Sequence, residues 1–252
     1  MPIIFITGGT SGFGKAIAQK FAGAGYDIII TGRRAERLNE IKTQIEQDLG
    51  VRVLTLHFDI RDRKACFDAI AGLDESWKNI DILVNNAGGA LGRDRFDEAD
   101  LDDWETMIDT NVKGLMYITK AVLPVMKEKK SGHIINIGSI AGKEVYELGN
   151  GYNAAKFAVD ALSKAMRIDL LPYKIKVTQI LPGAVETEFS LVRFKGDEQK
   201  AAAIYAGYKP LSAADIAEVV YFSASLPPHV CINDLSITPT AQANSYYIYR
   251  GG

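Results

Sequence analysis

The chain has 252 residues, the upper end of the range for one α/β domain, and its 47% hydrophobic content is ordinary for a globule with a large core. A net charge of -2 and a pI near 6.0 offer no basic field for nucleic acid or anionic lipid, which argues against a reader of polyphosphate backbones. The amino terminus MPIIFITGG has no basic region before its short apolar run, and no apolar stretch nears membrane length, so the cytosol is the expected compartment and no membrane partner is expected.

In chain order, the apolar runs IIFIT, DIIIT, VRVLTLHF, IDILVNNA, HIINIGS and IKVTQIL alternate with helical patterns. Such alternation predicts an α/β fold, a doubly wound parallel sheet covered on both faces. No linker, composition break or repeat divides it, so a single domain over residues 1–252 is expected. Cys66 and Cys231 follow no metal-ligand spacing and read as reduced, buried thiols.

The first run passes into TGGTSGFG and then the helical pattern KAIAQKFAGAGY. Glycines at Gly8, Gly12 and Gly14, between a first strand and a helix, let backbone amides and the positive helix end meet a phosphate. The second strand ends at Thr31–Gly32 and is followed by Arg33 and Arg34, with no acid before Glu36. Where NAD binding needs an acid for the adenosine ribose, two guanidinium forks suit a 2′-phosphate, so NADP is the expected cofactor. The bland reading is a solvated start to the charged helix that follows. Asp59–Ile60 closes the third strand, and the Asp59 carboxylate either accepts from an adenine amino group or caps the helix of residues 61 to 72. Asn85 and Asn86 tie backbone across the sheet, and Gly88 and Gly89 let the chain pass close to a cofactor. Asn111, in a helical run where its propensity is poor, points to a specific hydrogen-bonding role.

The stretch from Ser139 to Lys156 carries the chemistry. Tyr152 and Lys156, four apart in a Gly- and Pro-free helical pattern that runs to Pro172, share one helix face. A phenol ionises near pH 10 and needs a neighbouring cation to act near neutrality; Lys156 is the expected cation. Ser139 follows a buried strand and so stands at its carboxyl end, where a substrate oxygen would be held. Beyond Pro182–Gly183, the polar segment of residues 187–210 reads as a lid, and Arg193 within it suits capture of a substrate carboxylate. Ser212 caps a last helix stopped by Pro227–Pro228, a final strand lies near LSIT, and the aromatic tail AQANSYYIYR suggests a partner surface, with packing on its own subunit as the competing view.

With these residues in place, the chain resembles the short-chain dehydrogenase/reductase family over essentially its whole length. TGGTSGFG is similar to the family's TGxxxGxG, NNAG at 85 to 88 matches its structural motif, and Asn111, Ser139, Tyr152 and Lys156 fall where its catalytic tetrad falls. The resemblance implies a Rossmann sheet of seven parallel strands, hydride transfer to or from the nicotinamide, and a homotetramer or homodimer built on the long helices. It further implies nucleotide contacts from Thr10, Ser11 and Phe13 in the glycine-rich turn, from Ile60, Asn86, Ala87 and Gly88, from Tyr152 and Lys156, and from Pro182, Gly183, Val185 and Thr187.

TEFSLVRFKGD together with DWETMIDTN and LPPHVCIN resembles the NADP-dependent 3-hydroxy acid dehydrogenases that act on serine, allo-threonine and 3-hydroxypropionate, a group also similar to sulfoacetaldehyde reductases. Gly151 stands where relatives often carry Val, and KEVYEL at 143 to 148 is expected to place charges beside the pocket. The resulting expectation has Ser139 and Tyr152 binding the substrate oxygen, Lys156 lowering the tyrosine pKa and contacting the nicotinamide ribose, Asn111 positioning a water, and Arg193 clamping an acid. A reductase of neutral or acyl-bound carbonyls, and a non-catalytic sensor of NADP(H), are the alternatives.

Overall fold

The computed structural model describes residues 1–251. Isoleucine-rich runs, largely β-branched and apolar, form strands that can be buried on both faces. The chain builds β1 (Ile3–Thr7), α1 (Gly12–Gly23), β2 (Asp27–Gly32), α2 (Ala35–Leu49), β3 (Val53–His57), α3 (Arg63–Ala71), the single turn α4 (Glu75–Lys78) and β4 (Ile80–Asn85). It continues through α5 (Leu101–Ile108), a π-helical turn (Asp109–Gly114), α6 (Leu115–Glu128), β5 (Gly132–Ile137), the long α7 (Asn150–Leu170) and β6 (Ile175–Pro182). Two short helices, α8 (Glu188–Arg193) and α9 (Glu198–Ala203), precede α10 (Ala213–Ser225) and β7 (Asp234–Ile237).

The sheet has seven strands in the order β3-β2-β1-β4-β5-β6-β7, every pair parallel. Alternating side chains feed two cores. Ile4 and Ile6 pack with Ile17 and Phe21 of α1 and Ile216 of α10, while Ile3 and Phe5 pack on the opposite face with Ile118 and Val122 of α6. Burying one such side chain is worth about 1.5–3 kcal/mol, so the helices are held chiefly by these faces. Winding reverses between β1 and β4, and the connections at their carboxyl ends part there to leave a crevice.

Several local expectations change. β3 ends at His57, so Asp59 lies in the following loop, and the cap of α3 is Asp62, which accepts from the Ala65 amide at 3.0 Å. Asp59 is instead paired with Arg61, whose hydrogen bonds, with burial opposing, hold its carboxyl below the usual range. Cys66 is buried as expected, but Cys231 is exposed, because the chain past Pro227–Pro228 runs over the surface. The tail is tied to its own subunit by bonds such as Arg250 NH2 to the Ile204 carbonyl at 3.0 Å and the Ala184 amide to Gln242 Oε1 at 2.8 Å, yet it leaves Tyr246, Tyr247 and Tyr249 exposed.

Candidate active site

The crevice is a cleft of about 550 Å³ lined from the glycine-rich turn at one end to Tyr152 and Lys156 at the other, a volume within the usual range for ligand sites. At its near end Gly8 adopts φ +69°, a left-handed conformation that disfavours a side chain, and a Cβ there would also lie 3.0 Å from the Ala87 Cα. Asn86 donates from Nδ2 to the Thr7 and Gly8 carbonyls at 2.8 and 3.1 Å and so fixes this turn to β4. Gly14 packs directly on the Gly8 carbonyl, where a Cβ has no room.

Helix α1 starts at Ser11 with no side-chain cap and no acid in its first turn. By contrast α3, α5, α9 and α10 are capped by Asp62, Asp100, Asp197 and Ser212. The first amides of α1 are therefore available to an anion in the cleft, the arrangement a dinucleotide pyrophosphate requires. The Ser11 hydroxyl serves another group: Arg34 donates to Ser11 Oγ at 2.9 Å and to Thr10 Oγ1 at 2.8 and 3.2 Å. Arg33 also lines this end, so two guanidinium groups and two hydroxyls meet where a 2′-phosphate would sit. Gly12, Phe13, Asp59, Ile60, Ala87, Gly88 and Thr187 line the same cleft. Pro182, Gly183 and Val185 do not line it; they belong to the wall behind, with Pro182 and Val185 buried.

At the far end α7 sets the geometry. Tyr152 and Lys156 lie one helical turn apart and both face the cleft. Lys156 Nζ donates to the Ile137 carbonyl at 2.9 Å and lies 5.7 Å from the Tyr152 ring centroid. With no carboxylate to compensate, burial alone pulls the Lys156 ammonium down to about 8. Burial raises the Tyr152 phenol, with Tyr146 adding to the rise, and the groups that oppose it are the Ser139 hydroxyl and the Arg193 guanidinium. The helical spacing pointed to Lys156 as the group that lowers Tyr152; in the protein alone that cation is held toward the β5 carbonyl. Ser139 accepts from the Ala141 amide at 3.1 Å at the start of a 3-10 turn, which anchors it just beyond β5.

Asn111 does not line the cleft. It sits in the π-helical turn with Nδ2 donating to the Met107 and Gly89 carbonyls at 2.8 and 2.9 Å and Oδ1 accepting from the Gly89 amide at 3.2 Å. Its side chain clasps the loop after β4, the specific bonding role its place in a helix suggested. Gly151 is also explained: a Cβ there would lie 2.7 Å from Trp104 Cδ1 and 2.8 Å from Met107 Cε. The charges of KEVYEL do not face the cleft. Lys143 pairs with Asp160 and Asp234, Glu144 accepts from the Ser245 amide, and only Tyr146 turns toward the lid.

Arg193 is brought over the site. Its Nε donates to the Gly92 carbonyl at 3.0 Å, NH1 donates to the Tyr146 hydroxyl at 2.9 Å, and its guanidinium carbon stands 5.8 Å from the Tyr152 ring centroid. Phe189, one turn earlier on α8, meets Tyr152 edge-on at 5.6 Å. Sequence reasoning missed Tyr146, Phe189 and Val192, and it missed Glu188, which pairs with Arg34 at 3.1 Å and with Arg37 at 2.7 Å. No local pattern marks these residues; an acid six positions after Pro182 and a tyrosine six before the helix tyrosine acquire their partners only in the fold.

Comparison with known proteins gives concordant results. Residues 2–197 match the family model described as short chain dehydrogenase. The chain is 49% identical over 242 residues to the NADP-dependent 3-hydroxy acid dehydrogenase YdfG of Salmonella typhi, covering 96% of each chain. It is 46% identical over 246 residues to sulfoacetaldehyde reductase 2 of Chromohalobacter salexigens, covering 97% of each. Among solved structures, the closed form of serine dehydrogenase complexed with NADP+ superimposes with a TM-score of 0.92 at 47% identity, over 96% of this chain and 97% of the other.

Proposed function

Because this chain belongs to the short-chain dehydrogenase family, an oxidoreductase family, we propose that it interconverts a small 3-hydroxy acid and the corresponding semialdehyde or keto acid, with NADP as cofactor. The observation that carries this reading is one cleft with Arg33 and Arg34 at the nucleotide end and Tyr152 at the reacting end, where Arg193, from outside the cleft lining, brings its guanidinium carbon to 5.8 Å from the Tyr152 ring centroid. Relatives named for NADP-dependent action on 3-hydroxy acids support it.

NADP, when bound, supplies the hydride acceptor, and its reduced form the donor. Ser139 and Tyr152 bind the substrate oxygen. In oxidation Tyr152 accepts the hydroxyl proton as hydride leaves; in reduction it returns that proton to the carbonyl oxygen. Its raised pKa keeps the phenol protonated in the protein alone. Lys156, depressed to about 8, exchanges its own proton near neutrality, donates toward the nicotinamide ribose and stabilises the phenolate when it forms. Asn111 holds the Gly89 segment of the cleft wall in place; with both Nδ2 hydrogens engaged there, a water that connects Lys156 to solvent is left to the polypeptide carbonyls of the π-helical turn. Arg193 takes the substrate's anionic head group, and residues 187–210 act as the lid that carries it. Phe189 and Val192 exclude water above the reacting carbon.

A sulfonate head group is the second reading, supported by the sulfoacetaldehyde reductase relative. It asks the same of Arg193. The exposed apolar residues Met116 and Phe157 on α6 and α7, together with the tail tyrosines, support a homodimer or homotetramer. Initial rates with NADP and then NAD on serine, 3-hydroxypropionate, isethionate and a neutral secondary alcohol test the whole reading. Anionic substrates turned over with NADP are expected; turnover of the neutral alcohol alone would remove the acid clamp. A Tyr152→Phe variant that binds NADP normally yet keeps near-normal turnover would remove the proton-transfer role.

A further inference from the structure

Helix α8 is six residues long and touches both ends of the cleft and the segments beside it at Gly92 and Tyr146. Its first residue, Glu188, pairs through Oε2 with Arg34 NH1 at 3.1 Å and through Oε1 with Arg37 NH1 at 2.7 Å. Its second, Phe189, packs on Tyr152. Its last, Arg193, exchanges bonds with Gly92, amide to carbonyl and Nε to carbonyl, both at 3.0 Å, and reaches Tyr146. So short a helix moves as one body. Whatever holds Glu188 in place also places Phe189 and Arg193 over the reacting groups.

Arg34 is divided between two tasks. Its Nε and NH2 face the hydroxyls of Thr10 and Ser11, and its NH1 faces Glu188. The Nε and NH2 edge is the one a phosphate beside Thr10 and Ser11 would meet, and that meeting leaves NH1 on Glu188. We propose that Glu188 is a positioning residue that couples recognition of the nucleotide 2′-phosphate to closure of the lid. A phosphate on one edge of Arg34 fixes the guanidinium, and its other edge then offers Glu188 a stationary partner. Arg37, which does not line the cleft, supplies the second hold on the same carboxylate. With a nucleotide lacking the 2′-phosphate, Arg34 keeps only its neutral hydroxyl partners Thr10 and Ser11, a weaker hold than a charge-assisted one, so its pair with Glu188 is as weak as exposed ion pairs usually are. NADP selectivity then arises partly in the lid and not only in nucleotide affinity.

The inference rests on the NADP reading above, and the test separates the two. Amide hydrogen exchange is followed over residues 188–196 in the full-length protein, with no ligand, with 2′,5′-ADP and with 5′-ADP, and affinity for both nucleotides is measured by calorimetry. In the wild type, 2′,5′-ADP is expected to slow exchange in this segment roughly fivefold, the order set by a small ion-pair network, while saturating 5′-ADP has no such effect. Glu188→Gln is expected to bind 2′,5′-ADP within about threefold of the wild type while losing the lid protection, and Arg37→Gln to lose part of it. If 2′,5′-ADP binds tightly but lid exchange is unaltered, or if Glu188→Gln retains full protection, the coupling is refuted. A wild type that shows no preference for 2′,5′-ADP over 5′-ADP refutes the NADP reading itself.

Discussion

Replacing Arg193 by lysine separates charge from geometry at the substrate end. The native guanidinium is held by the Gly92 carbonyl at 3.0 Å and the Tyr146 hydroxyl at 2.9 Å, with its remaining nitrogen uncommitted among the described residues and directed by that hold. Lysine keeps the charge but gathers its three donors on one nitrogen at the end of a flexible stem, so it cannot span the Gly92 carbonyl, the Tyr146 hydroxyl and an acid as the planar fork does. A hydrogen bond to a charged group is worth about 1.5–3 kcal/mol, and each 1.4 kcal/mol is tenfold, so kcat/KM for an anionic hydroxy acid should fall roughly ten- to hundredfold. A neutral secondary alcohol makes no such bond and should lose far less. Tyr146→Phe, which removes only the hydroxyl that aims Arg193, should cost about 0.5–1.5 kcal/mol, or roughly two- to tenfold, on the acid alone. The assay is the ratio of kcat/KM for 3-hydroxypropionate and for the alcohol, both with saturating NADP. Equal losses on both substrates would mean that Arg193 only closes the lid, and the clamp would have to be abandoned.

Three further outcomes follow from packing and burial. Gly151→Val forces Trp104 or Met107 to move, since a Cβ already meets them at 2.7 and 2.8 Å; overpacking of this kind costs about 1–3 kcal/mol, visible as a lower Tm and altered tryptophan emission, and an unchanged Tm would contradict it. Asn111→Leu leaves the buried Met107 carbonyl and the half-buried amide and carbonyl of Gly89 without their side-chain partner and should lose about 2–3 kcal/mol, a drop of some 5–10 °C by calorimetry, whereas a drop of under about 2 °C would show the loop held by other means. His133, buried with only Thr178 as partner, is held down to about 3. Its pKa is depressed from an unfolded value near 6.5, so its stability contribution is complete above that pH and is lost as pH falls toward about 3, at about 1.4 kcal/mol per pH unit. Urea unfolding at pH 7.5 and 5 should show a loss of about 2 kcal/mol that His133→Gln lacks; parallel losses in both proteins would assign the acid sensitivity elsewhere.

The sequence by itself determined the features that depend on near neighbours. Alternating apolar runs and helical patterns sufficed for a doubly wound parallel sheet, because strand burial and helix amphipathicity are written residue by residue, while the count of seven strands came from the family resemblance. The glycine-rich turn was legible because Gly8 and Gly14 answer to steric limits a few residues wide, and Tyr152 with Lys156 because four residues make one helical turn. Tertiary structure decided which charges meet. Arg34 and Glu188 are 154 positions apart, Arg193 and Gly92 are 101 apart, and no local rule connects either pair. It also decided what burial does to each group: Lys156 and His133 lose their charge-stabilising water only when strands and helices close over them, and Asp59, one loop beyond the end of β3, goes to Arg61 and not to the helix cap. Spacing along the chain sets which groups share a turn, while desolvation and long-range pairing exist only once the chain has closed on itself.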